Sequence, residues 1–107
     1  MTVNGEDCSS YKVSYSDRVR EGLVELVTLA QQRGLKQIVL SALQIADEKL
    51  KTDPHFGEPK NNFPELSLVQ WIGIVPPLVI HYGINEEKCL VLVAKPIGVL
   101  PGNGLDP

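Results

Sequence analysis

At 107 residues, with 43% hydrophobic and 21% charged residues, the chain has the length and composition of one soluble domain with a single modest core. Lys and Arg number 10 against 13 Asp and Glu, a formal net charge of -3, which argues against a protein whose main task is to hold a phosphate backbone. No apolar run approaches the roughly 20 residues of a membrane span; the opening MTVNGEDCSS has neither a basic nor an apolar signal region, so a cytoplasmic protein is expected.

Residues 1–10 are small and polar and read as a flexible lead-in. In YKVSYS, Tyr11, Val13 and Tyr15 alternate with polar residues, the period-two pattern of a strand with one buried face. The period then changes. Ser16 suits a helix N-cap, and Val19, Leu23, Leu26, Val27 and Ala30 fall on one helical face. Gly34 suits a left-handed C-cap. A second helix follows, with Leu35, Val39, Ala42, Leu43, Ala46 and Leu50 as its stripe, and Pro54 in TDP stops it.

HFGEPKNNFPE reads as a turn-rich connector. LSLVQWIGIV, LVIHYGI and CLVLVAK read as three strands, separated by Pro76-Pro77 and by an NEEK hairpin loop. The unbroken run from Leu90 to Val93 predicts burial on both faces and a central place in the sheet. PIGVLPGNGLDP, residues 96–107, reads as a Pro/Gly-rich tail. The predicted fold is α+β in the order β-α-α-β-β-β, a helix hairpin packed on a twisted antiparallel four-stranded sheet, with residues 11–95 as the single domain. Cys8 and Cys89 have no close spacing, and two free thiols are the default expectation in a reducing compartment.

The opening YKVSYSDRVREGLVEL, the helix end ALQIADEKLKTDP with GEP soon after, and the hairpin LVIHYGINEEKCLVLVAK together resemble the RelE/ParE superfamily of bacterial type II toxin–antitoxin proteins. The likeness runs over about residues 11–95 and marks a diverged member. It implies one of two activities: messenger RNA cleavage in the ribosome, or inhibition of a target by binding. Either would be neutralised by a small antitoxin. Cleavage by attack of a 2′-hydroxyl needs a proton acceptor, a proton donor and cations for the pentavalent phosphate. The strand arginine usual in the nucleases falls at Val79, or at Leu78 if the register slips by one, and Pro96, Ile97 and Gly98 stand where further polar groups are expected. Of the charged set only Lys95 matches.

The catalytic candidates are therefore His81, as a base on a sheet face, and Lys95, as a phosphate or carboxylate contact. Strand alternation sets His81 opposite Ile80 and Tyr82. Against these stand the ordinary alternatives of a half-exposed strand histidine and a solvated lysine. The binding candidates are Tyr82, Trp71, Arg18 and Arg20. For Tyr82 a core place is the simpler alternative and for Trp71 the core or a dimer interface, and for the arginines an ion-paired helix face shared with Asp17, Glu21 and Glu25. Cys8, His55, His81 and Cys89 show no ligand spacing, so no metal is expected. No glycine-rich phosphate loop or nucleophile motif is present, so no cofactor is expected either. The expected partner is an antitoxin peptide or protein, with a homodimer as an alternative; contact with nucleic acid or the ribosome is disfavoured by the charge. The sequence thus reads as a toxin-family protein acting by protein binding. The alternatives are a non-toxic interaction or structural protein on the same scaffold, and a diverged ribosome-dependent endoribonuclease.

Overall fold

Ser16 opens the first helix as its sequence predicts: its hydroxyl accepts from the Val19 amide at 3.2 Å. The computed structural model describes residues 8–102, 104 and 105. Along them run β1 (Lys12–Tyr15), α1 (Asp17–Gln32), α2 (Lys36–Thr52), β2 (Glu58–Phe63), β3 (Leu68–Val75), β4 (Leu78–Asn85), β5 (Leu90–Val93) and β6 (Gly98–Val99). Short 3-10 turns at Pro54–Phe56 and Pro64–Leu66 flank β2. At the end of α1, Gly34 adopts φ +72, while its amide donates to Gln31 and that of Leu35 to Ala30. The two bonds satisfy carbonyls that a helix end otherwise leaves open. No helix among the described residues is long and apolar enough to cross a membrane.

The sheet runs β1-β5-β4-β3-β2, with β6 paired to the start of β4. The fold is α+β, as expected, but the sheet differs from the four antiparallel strands that the pattern predicts. It has six strands and is mixed, because β1 pairs with β5 in parallel. The extra strand β2 comes from the expected connector. Its EPKNNF is exposed at every position and has no alternation to announce it. Main-chain pairing to β3 makes it a strand, with a register shift between Pro59 and Asn61. A proline is tolerable there because β2 lies at the sheet edge.

Strand β5 does lie inside the sheet, between β1 and β4, yet it is not buried on both faces. Val91 and Val93 are buried, whereas Leu92 is 36% exposed. Val19, Ala42, Ala46 and Leu50 of the helices close over Ile80, Tyr82, Ile84, Val91 and Val93. That single layer of helices covers one face of the sheet only.

Both ends of the described chain are tied to this body. Residues 1–7 of the expected lead-in lie outside the described residues, but Cys8 is joined to Cys89 in a disulfide, which corrects the expectation of two free thiols. Parallel pairing of β1 with β5 is the reason: it sets Lys12 beside Leu90, so the residues preceding the two strands meet at one end of the sheet. In the segment expected as a tail, β6 pairs with Leu78 and Val79, the Leu100 amide donates to the Pro77 carbonyl at 2.8 Å, and Leu105 is buried against Ala30 and Val39.

Candidate functional site

Alternation along β4 sends Ile80, Tyr82 and Ile84 into the core and turns Val79 and His81 to the face that no helix covers. Cross-strand pairs extend this face, with Ile72 beside His81, Ile74 beside Val79, and Leu92 beside Gly83. A shallow depression of about 200 Å3 sits on it, lined among others by Phe63, Leu68, Gln70, His81, Leu92 and Lys95. Gly83 makes room: a Cβ there would approach Leu68 Cδ1 to 2.9 Å, so the leucine side chain lies across the bare backbone. On the same face Phe63 is 41% and Ile74 54% exposed, which makes this face apolar as well as open.

His81 and Lys95, the two catalytic candidates, line the same depression. Burial, and then the Lys95 ammonium, lower the His81 pKa, so the imidazole is the more strongly held in its neutral form. No hydrogen bond among the described residues engages the His81 ring, and no carboxylate lines the depression. A neutral imidazole and one ammonium in an apolar setting can take a single polar or anionic group. A base, an acid and a clamp of cations around a pentavalent phosphate would require more charged groups than these.

The binding candidates scatter. Tyr82 is 2% exposed, its ring stacks on Phe56 at 5.8 Å, and its hydroxyl donates to the Pro54 carbonyl at 2.6 Å. It is a core residue with no face left for a ligand, since alternation aims it away from His81. Trp71 pairs across the strands with Tyr82, so it too lies on the helix side, half-buried against the core. Arg18 and Arg20 are exposed on α1, and Arg20 Nη1 reaches Asp17 Oδ1 only at 4.0 Å. An exposed pair at that distance contributes little.

A second polar cluster escapes sequence reasoning. Glu86, in the β4–β5 turn, has its Oε1 2.7 Å from His55 Nε2 and accepts the Tyr11 hydroxyl at 3.2 Å. The His55 ring stands edge-on to Trp71, with centroids 5.3 Å apart. Glu86 thus joins the residue that precedes β1, the turn after α2 and the hairpin. His55 and Glu86 are 31 residues apart, so no local spacing could have flagged them. Among the described residues, no group of three His, Cys, Asp or Glu side chains is arranged to hold a metal ion.

Comparison with known proteins finds no matching family model, no matching curated protein and no matching solved structure.

Proposed function

We propose that the chain is a RelE/ParE-like toxin-family protein that acts by binding through its uncovered sheet face, without cutting RNA. The single observation that carries this reading is the make-up of that face: exposed Phe63 and Leu92 line the depression together with one neutral-leaning imidazole and one ammonium, and exposed Ile74 lies farther along the same face. Apolar area at a sheet face drives association in proportion to what a partner covers. The partner that fits is an antitoxin-like polypeptide that lays apolar side chains over the depression and offers one carboxylate to Lys95. Leu92 is 36% exposed, so a partner covers only that part of it. Setting a carboxylate against the partner's apolar side chains costs more than the lost burial, and Leu92→Asp is expected to weaken such a complex by about tenfold or more.

Induced expression in a bacterial culture, with messenger 5′ ends mapped in the same samples, tests the reading. The expected result is growth arrest without new ends, relieved by Leu92→Asp. New ends in coding regions that disappear in His81→Ala or Lys95→Ala would establish the endoribonuclease in its place. Normal growth at high soluble expression would leave a non-toxic interaction protein on the same scaffold.

A further inference from the structure

Between the helix pair and the covered face of the sheet lies a cavity of about 240 Å3. Its floor is Ala46, Leu50 and Ile80, all nearly inaccessible to solvent. Half-buried Leu23, Leu43 and Ile97 make its walls. Two polar residues complete it. The Tyr15 hydroxyl donates to Asp47 Oδ1 at 2.6 Å, and Lys51 Nζ lies 2.8 Å from Asp47 Oδ2. The Asp47 side chain is 38% exposed, so this pair marks the side of the cavity that meets solvent.

We propose that this cavity is a binding site for a small apolar molecule of one aromatic ring or a comparable branched chain, carrying one neutral hydrogen-bond donor. The volume exceeds the roughly 150 Å3 of a cavity lined by leucine, isoleucine and phenylalanine that takes up benzene. Among the described residues the polar side chains that line it are Tyr15 and Asp47, at its solvent side, so a water over Leu50 and Ile80 would lack the two to four polar partners it needs. Each carboxylate oxygen of Asp47 receives one donor and keeps a second acceptor site. One of these two acceptor sites is where the ligand's O–H or N–H would sit, with its apolar body over Leu50 and Ile80. A ligand carrying a carboxylate is excluded, because its charge would face that of Asp47 with no cation inside the cavity to offset it. The site is on the opposite side of the sheet from His81 and Lys95, and its occupancy is independent of the function proposed above.

Benzene, phenol and benzoate, titrated into the full chain and followed through the methyl resonances of Leu50 and Ile80, provide the test. Benzene and phenol are expected to give saturable shifts centred on these methyls, phenol binding about tenfold tighter through its donor, and benzoate none. Ala46→Leu, which fills the floor, and Leu43→Phe, which fills a wall, are each expected to abolish the shifts. Asp47→Ala is expected to bring phenol down to the affinity of benzene. Shifts that do not saturate in the unaltered protein would overturn the proposal, whatever the variants do. Binding undiminished in both filling variants would overturn the location, and benzoate binding as well as phenol would overturn the ligand class.

Discussion

Tyr82 shows how a polar atom becomes part of a core. Its ring stacks on Phe56 within the core while its hydroxyl meets the Pro54 carbonyl. Tyr82→Phe keeps the ring and strands that carbonyl, at a cost of about 1–3 kcal/mol, measurable by urea denaturation. Burial, above all, pushes the Tyr82 hydroxyl up to about 12, and burial together with the Glu86 carboxylate does the same for Tyr11. A raised pKa means that the folded protein keeps protons which the unfolded chain gives up above about pH 10. Stability from these groups is whole below pH 10 and is lost as pH rises toward 12. The melting temperature should therefore fall over that interval, and less steeply in Tyr82→Phe. On the open face, Lys95→Gln removes one of the two causes that lower the His81 pKa. The His81 titration followed by NMR should then move up toward its ordinary value, and an unmoved titration would show that Lys95 does not reach the depression.

The helices end where local chemistry ends them. Gly34 at φ +72 has nothing within 4 Å of a would-be Cβ, so Gly34→Ala meets no clash and pays only for the left-handed backbone. That cost is about 1–2 kcal/mol, and it should appear as a lowered denaturation midpoint with an unchanged slope. Strand β2 obeys a different rule. It has no buried side chain, so its order rests on main-chain bonds to β3. Its amides are expected to exchange with solvent faster than those of β4, whose side chains are largely buried.

Across the molecule, the sheet is armoured on one side and bare on the other. The helix pair closes over the covered face, Leu105 packs against Ala30 and Val39 of the helices, and nothing in the chain's described residues crosses the opposite face. The Cys8–Cys89 link closes a sequence separation of 81 residues, nearly the whole domain. A cross-link acts mainly by limiting the unfolded chain, and on chain entropy alone a loop of this size is worth about 4–5 kcal/mol. Cys8→Ser should lower unfolding stability by that much under non-reducing conditions, and the reduced natural sequence should match the variant. Equal stability with and without the link would show that residues 8–10 do not constrain the fold.

The two helices, their cap at Ser16, their stops at Gly34 and Pro54, and the β4–β5 hairpin were all readable along the chain. Each depends on residues within a few positions of one another, where spacing and turn chemistry act directly. His81 could likewise be set opposite Tyr82, because a strand alternates without exception short of a bulge. Other features left no such trace. Strand β2 is made by main-chain pairing, to which side chains give no pattern; the parallel partnership of β1 and β5, the Cys8–Cys89 link and the Glu86 contacts to His55 and Tyr11 join residues more than 30 positions apart. Those are settled by which apolar faces can close over one another in three dimensions. The same closure leaves one sheet face bare and a cavity under the other, and both proposed binding sites follow from it.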